Sequence, residues 1–97
     1  MLNSKERSKL RSLAQTIKVI GQVGKSGIGS EMVKSFSDAL EKKELIKLKV
    51  LENAEYTATE AGDILAKELN AEFVCATGRT IVLYRRSKKE NISHIEF

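Results

Sequence analysis

The sequence has no proline and no tryptophan, and its 97 residues include one cysteine and one histidine. The single cysteine, Cys75, excludes an internal disulfide and any zinc site that needs several cysteines. It falls in an apolar stretch, where a buried, unreactive thiol is expected. The single histidine, His94, lies in a polar tail, where no Ser-His-Asp triad or metal cluster can form around it and a surface position is expected. These absences predict a protein that is not an enzyme and that holds no metal and no cofactor.

Long apolar runs are missing as well. The longest, at residues 80–84, is far shorter than the about 20 residues of a membrane-spanning helix, and the first residues lack the apolar segment of a secretory signal. Together with the single cysteine, this favours a cytoplasmic location without a membrane partner. Hydrophobic residues make up 41% of the chain and charged residues 31%, which is typical of a globular protein. We therefore expect one monomeric domain spanning residues 1–97.

Charge is plentiful, and it is unevenly distributed. Residues 1–27 hold six basic residues and one acidic residue, a net charge of +5, and residues 79–89 hold five basic residues and no acidic one. Residues 28–78 instead hold six basic and ten acidic residues, a net charge of −4. Such segregation indicates one basic and one acidic surface. A basic surface is typical of nucleic-acid binding, with chance clustering of solvated charges as the alternative.

Hydrophobic periodicity predicts three helices and four strands in the order α-β-α-β-α-β-β. Asn3 and Thr57 each begin a capping box, and Gly29 or Ser30 is expected to cap the second helix. The predicted elements are helices at residues 3–15, 30–43 and 57–69 and strands at residues 17–23, 45–51, 73–77 and 80–86, followed by a loose polar tail at residues 88–97.

The order of the elements also predicts how the strands pair. Alternating strands and helices favour a parallel arrangement of the first three strands. A two-residue turn at Gly78-Arg79 requires the fourth strand to run antiparallel to the third. The fourth strand is the most continuously apolar, so we place it between the second and third strands. In the first strand, Ile17, Val19 and Val23 are expected on one face. The fold class is then α/β with a four-stranded mixed sheet.

A short glycine-rich loop, Gly24-Lys25-Ser26-Gly27, follows the first strand and precedes the second helix. A P-loop would need a further glycine five residues before Gly24, where this sequence has Val19, so nucleotide hydrolysis is not predicted. The remaining G-x-x-G pattern resembles the turn with which KH-type modules clamp a nucleic-acid backbone. Glycines let the main chain approach a phosphate, and Lys25 adds a positive charge. A tight turn that needs glycine only for positive φ is the alternative, and the loop alone leaves both open.

Aromatic residues are too few to build a platform for stacking bases. The chain has two tyrosines and three phenylalanines, and Phe36 and Phe73 fall at predicted core positions. Recognition of a nucleic acid would therefore depend on phosphates, shape and sugar hydroxyls.

Strand directions predict where the basic side chains lie. The antiparallel fourth strand brings Arg79 to the end of the sheet that holds Lys25. Arg85 and Arg86 belong at the opposite end, nearer Lys18. We therefore predict a basic stripe along the domain rather than a single pocket.

Three segments in this order resemble a known family: residues 24–27, residues 39–50 with the strand Glu44-Leu-Ile-Lys-Leu-Lys-Val50, and residues 77–86 with Thr80-Ile-Val-Leu-Tyr-Arg85. Over residues 2–87 the chain resembles the CRM-domain family (chloroplast RNA splicing and ribosome maturation), specifically its stand-alone bacterial members of the YhbY type. The resemblance implies an α/β fold similar to the C-terminal domain of bacterial translation initiation factor three. It also implies RNA binding and association with precursors of the large ribosomal subunit. Gly29 departs from the family, which often has a capping hydroxyl residue there, and Ser30 is expected to take that role.

The resemblance makes RNA, specifically ribosomal RNA of the large-subunit precursor, the expected partner. An alternative is a protein-interaction module that docks a ribosomal or assembly protein through the acidic faces of the second and third helices. Phosphate binding weakens steeply with salt, whereas a mostly apolar protein interface does not, so salt dependence separates the two. The residues expected to contact RNA are Lys18, Gly24, Lys25, Ser26, Gly27, Arg79, Arg85 and Arg86.

Overall fold

Helices and strands alternate along residues 2–97, the part of the chain that this computed structural model describes. The observed order, α-β-α-β-α-β-β, confirms the predicted one. The elements are α1 (Ser4–Ala14), β1 (Gly21–Val23), α2 (Ser30–Lys43), β2 (Leu45–Val50), α3 (Ala58–Leu69), β3 (Glu72–Thr77) and β4 (Thr80–Tyr84).

Both predicted capping boxes are present. In α1, the Asn3 side chain accepts from the Glu6 N–H at 2.8 Å while Glu6 accepts from the Asn3 N–H at 3.0 Å. In α3, Thr57 and Glu60 make the same pair of bonds at 3.1 and 2.9 Å. Each box satisfies two N–H groups that the helix itself leaves without acceptors, so the start of each helix is set locally.

The sheet has the strand order β1-β2-β4-β3. β1 pairs with β2 in parallel, and β4 is antiparallel to both of its neighbours, β2 and β3. The predicted central position of β4 is therefore confirmed. Its residues Ile81, Val82, Leu83 and Tyr84 are all buried, because helices cover both faces of the sheet at this strand.

Alternation along the strands assigns the two faces of the sheet. Ile46, Leu48 and Val50 join the larger core cluster beneath α2 and α3. Residues of the opposite parity, including Leu45 and Tyr84, join a smaller cluster beneath α1. The sheet therefore lies between α1 on one side and α2 with α3 on the other.

Gly62 in α3 is required by packing. A Cβ built on Gly62 would lie 2.4 Å from Cζ of Phe73, well inside van der Waals contact. The glycine thus lets the Phe73 ring lie directly against the α3 backbone. Next to Phe73, β3 has a bulge, and Arg7 of α1 donates from Nη1 to the carbonyls of Phe73 and Val74 at 2.6 and 2.7 Å. Arg7 therefore stabilises the docking of α1 on the irregular part of the sheet.

The first strand is shorter than predicted, and its predicted face is wrong. Only Gly21–Val23 is strand, and Ile20 makes one further bond, from its N–H to the Lys47 carbonyl at 2.9 Å. Ile17 packs in the cluster beneath α1, whereas Val23 packs beneath α2 and α3. Since α1 and α2 lie on opposite faces, the connecting chain must pass around the edge of the sheet. Val19 is left 41% exposed and Ile20 48% exposed.

The predicted loose tail is also wrong. Glu44, fully buried at the end of α2, accepts hydrogen bonds from the N–H groups of Ser87 and Ile95, both at 2.7 Å. Its carboxylate also contacts Nδ1 of the half-buried His94 at 2.6 Å. Burial opposes ionisation of Glu44, but these bonds from His94, Ile95 and Ser87 outweigh it and lower the pKa of the carboxyl. The tail is docked because a buried carboxylate supplies acceptors for its backbone, a role that its polar composition does not reveal.

Candidate nucleic-acid interface

The loop between β1 and α2 is a tight turn. The Gly27 N–H donates to the Gly24 carbonyl at 3.0 Å, and Gly27 has a φ of 77°, in the left-handed region that favours glycine. Space does not dictate this glycine, since the nearest atom to a Cβ built there would be Cε2 of Tyr56, 4.0 Å away. The backbone conformation dictates it. Lys25 and Ser26, between the two glycines, are exposed.

The start of α2 has no side-chain cap, unlike those of α1 and α3. Gly29, one of the two expected caps, is the N-cap residue, whereas Ser30 is the first helical residue and makes no capping bond. In the loop, the backbone N–H groups of Lys25, Ser26, Ile28 and Gly29 have no acceptor anywhere in residues 2–97. Unsatisfied N–H groups and the positive end of the helix dipole together attract anions.

Arg79 lies at the same end of the sheet as this loop, as predicted. The Val50 N–H donates to the Arg79 carbonyl at 2.7 Å, and the Leu51 N–H donates to the Val23 carbonyl at 2.8 Å. The turn that carries Arg79 and the loop that follows Val23 therefore flank the end of β2. Within residues 2–97 the Arg79 guanidinium makes a single long contact, 3.4 Å to the Leu51 carbonyl, and it is exposed. Lys25 makes no hydrogen bond within the described chain, so both cations are available to a ligand.

Arg85, in contrast, is used inside the domain. Its guanidinium donates to the Leu69 carbonyl at 2.8 Å, and to the Ser37 carbonyl and the Glu41 carboxylate at 3.0 and 3.1 Å. The Lys88 N–H and then Arg85 lower the pKa of the Glu41 carboxyl. These contacts join α2 to α3, and the side chain is only 20% exposed. Contact of Arg85 with RNA stays a prediction, and it is not favoured, because these bonds already occupy the guanidinium.

Lys18 and Arg86 are both exposed, and no contact within residues 2–97 links Lys18 to Arg85. Arg85 reaches α2 on the side that faces α3. Ile20, two residues from Lys18, lines a cavity on the other side of α2, next to Asp38 and Lys42. The stripe as predicted would therefore have to continue without Arg85.

Sequence reasoning did not select two lysines of β2 that the structure makes prominent. Lys47 and Lys49 alternate with the core residues of β2 and lie on the face that carries α1. Nζ of Lys47 donates to the Ala14 carbonyl at the end of α1, 3.2 Å away. The alternation predicted their shared face. It could not show that α1 covers only part of that face.

Groups able to support other chemistry are few. Within residues 2–97 no three His, Cys, Asp or Glu side chains are placed to hold a metal ion. Burial raises the pKa of the half-buried Cys75 thiol, which opposes formation of a reactive thiolate. The described helices include none with the length and apolar character needed to cross a membrane.

Comparisons with known proteins identify the family of this chain. The model of the CRS1 / YhbY (CRM) domain family matches residues 2–85. A curated relative from Bacillus subtilis (strain 168), YqeI, named a probable RNA-binding protein, is 42% identical over 89 residues, which is 92% of this chain and 93% of the relative. A Staphylococcus aureus protein solved in solution, and proposed to bind RNA, has 41% identity and a TM-score of 0.78, with 98% of this chain and 100% of that chain covered. The protein therefore belongs to the CRS1/YhbY (CRM) domain family.

Proposed function

We propose that this protein binds RNA and that the loop Gly24–Gly27, with the uncapped start of α2, is a primary contact for the RNA backbone. The observation that supports this most directly is the set of unsatisfied N–H groups beside two uncommitted cations, Lys25 and Arg79. Membership of the CRM family and the names of the two relatives support RNA as the ligand.

The chemistry of the loop suits a phosphate group. Glycines at both ends of the turn leave room for a phosphate oxygen to approach the backbone, where N–H groups can donate to it. Lys25 adds a point charge, and the Ser26 hydroxyl can donate one more hydrogen bond. Tyr56, whose ring lies 4.0 Å from a Cβ built on Gly27, is half-buried, packing partly against the core and lining a surface cavity with Arg79. The contact would therefore tolerate many base sequences, because phosphates carry no sequence information.

We further propose that the RNA is ribosomal RNA in a precursor of the large subunit, bound in the cytoplasm by a monomer without chemical change to the RNA. The resemblance to stand-alone YhbY-type proteins supports this step. Crosslinking in cells, with ribosomal particles separated by sedimentation before RNA sequencing, tests it. We expect enrichment in the large-subunit precursor, and recovery of only mature ribosomes and messenger RNA would contradict it.

Salt titration tests the loop contact. Lys25→Ala should weaken binding of all RNAs similarly and reduce the slope of log K against log salt by about 0.7–0.9, the value of one phosphate contact. The matched control is Lys67→Ala, which removes an exposed lysine from the last turn of α3. The free energy of unfolding of both variants should lie within about 0.5 kcal/mol of the wild-type value. An unchanged slope for Lys25→Ala would show that Lys25 touches no phosphate.

The alternative, a protein-docking module with acidic helix faces, has less support on α2. There Glu31 and Asp38 line the same cavity as Lys34 and Lys42, so this side of the helix is mixed rather than acidic. A protein partner whose binding is insensitive to salt would favour the alternative.

A further inference from the structure

A groove opens on the sheet face that α1 leaves partly uncovered. It has a volume of about 290 Å³ and lies between the C-terminal end of α1 and strands β2, β3 and β4. None of its lining residues is acidic. Its lining residues with polar or thiol side chains are Arg11 and Gln15, Lys47 of β2, Cys75 and Thr77 of β3, and Thr80 of β4.

Positive charge surrounds the groove. Arg11 is exposed and makes no hydrogen bond within residues 2–97. Lys47 is held over the groove by its bond to the Ala14 carbonyl. Burial raises the pKa of Cys75, whereas Arg11, Arg7 and Lys47 act on the thiol in the opposite direction, which places three cations within electrostatic reach of it. A site with this charge and no carboxylate suits an anionic ligand.

The groove reaches the end of the sheet that carries the proposed loop contact. Thr80 pairs with both Thr77 and Lys49 across the sheet, and Thr80 directly follows Arg79. Lys49 is exposed and lies two residues from Lys47 on the same face, about 7 Å away along an extended strand. On this face Lys49, Lys47 and Arg11 form a row of cations, and the Lys49 end of the row lies at the end of the sheet that carries the Arg79 turn and the loop.

We propose that this groove is a second contact for the RNA backbone, so that a strand held at the Gly24–Gly27 loop continues across the sheet to α1. This inference rests on the proposed RNA binding. Arg11 and Lys47 would meet phosphates, while the Thr77 and Thr80 hydroxyls and the Gln15 amide can hydrogen-bond sugar hydroxyls. The groove has no aromatic lining residue. Its contacts are therefore with the backbone, unlike sheet surfaces that stack bases.

Cys75 provides a direct measurement of whether RNA occupies the groove. It is the single cysteine of the chain and lines the groove. Its rate of alkylation by iodoacetamide, followed by mass spectrometry, would be measured for the full chain with and without a saturating mixed-sequence hairpin RNA. We expect RNA to slow alkylation several-fold. The same RNA should protect Cys75 in Lys67→Gln, a control change on α3.

Charge variants give an independent measurement. Arg11→Gln and Lys49→Gln each remove one cation from an exposed side chain, so the fold should be retained. Each should weaken binding several-fold and lower the salt slope by about 0.7–0.9, with no change for Lys67→Gln. One outcome would overturn the groove proposal and leave the loop proposal standing. In it, RNA binding is sensitive to salt but does not protect Cys75, and Arg11→Gln and Lys49→Gln keep the wild-type slope of log K against log salt. Absence of RNA binding by the wild-type chain would overturn both.

Discussion

Replacing Gly27 by alanine separates the conformational role of the loop from its role in binding. Gly27 has a φ of 77°, and a Cβ there would meet nothing closer than 4.0 Å. The cost is therefore backbone strain alone, about 1–2 kcal/mol for an L-residue in the left-handed region. In a domain of this size each kcal/mol lowers Tm by roughly 4–8 °C.

Gly24→Ala is the matched control in the same turn. Gly24 is not among the glycines with positive φ, and a Cβ there would lie 3.3 Å from Cδ1 of Leu51, the flexible end of a side chain that can move. We expect its stability to change by about 0.5 kcal/mol or less. Thermal melts followed by circular dichroism compare the two variants, and RNA binding is measured well below both melting temperatures. Gly27→Ala should melt lower than Gly24→Ala and should bind RNA more weakly than Lys25→Ala, because several N–H groups are displaced together. Equal melting temperatures for the two alanine variants would contradict the strain expected from the φ of Gly27. Wild-type RNA affinity for Gly27→Ala would instead show that the loop is only a connector.

Three further predictions concern the contacts that position the interface. Gly62→Ala should destabilise the fold because its Cβ would overlap the Phe73 ring, 2.4 Å away, and the double variant with Phe73→Leu should recover part of the loss in denaturant melts. Arg85→Ala should cost about 1–3 kcal/mol, since it leaves the Glu41 carboxylate and two carbonyls without their charged donor, and should leave the salt slope of RNA binding unchanged; a reduced slope would instead show that Arg85 contacts phosphate. Folding lowers the pKa of Glu44 below its ordinary value of 4.5, so its ionised form stabilises the protein above that pH, and the contribution is lost as pH falls through the folded pKa. Glu44→Gln should therefore flatten the acid limb of stability measured by urea denaturation across pH, and an unchanged acid limb would contradict this assignment.

Most of the architecture could be predicted from local patterns in the sequence. The capping boxes at Asn3 and Thr57 set two helix starts, and the alternation Ile46, Leu48, Val50 set the core face of β2. The short turn at residues 78–79 predicted that β4 is antiparallel to β3. The apolar composition of β4 predicted its central position in the sheet. These features depend on residues close in sequence, where sterics and hydrogen bonding act directly on the backbone.

The surroundings of the individual basic side chains could not be predicted from the sequence. Charge alone could not distinguish Arg85, which joins α2 to α3, from Arg79, which is exposed at the loop end. Nor could it show that Lys47 would lie in a groove beside Arg11. The sequence shows only that a residue is an arginine or a lysine, not whether its N–H groups donate to carbonyls or face solvent. The carbonyl and carboxylate acceptors that hold such a side chain inside the domain come from distant parts of the chain.

The sequence by itself thus determined the order of elements, the strand arrangement and the existence of a glycine-rich basic loop. Tertiary structure alone decided that residues 17–20 pass around the sheet edge, that Glu44 is buried, and that the tail docks on it. The physical reason is the range of the interactions. Periodicity and capping are local, whereas burial of a carboxylate at 0% exposure is stable only when donors more than 40 residues away, such as the Ser87 N–H, are brought to it by the completed fold.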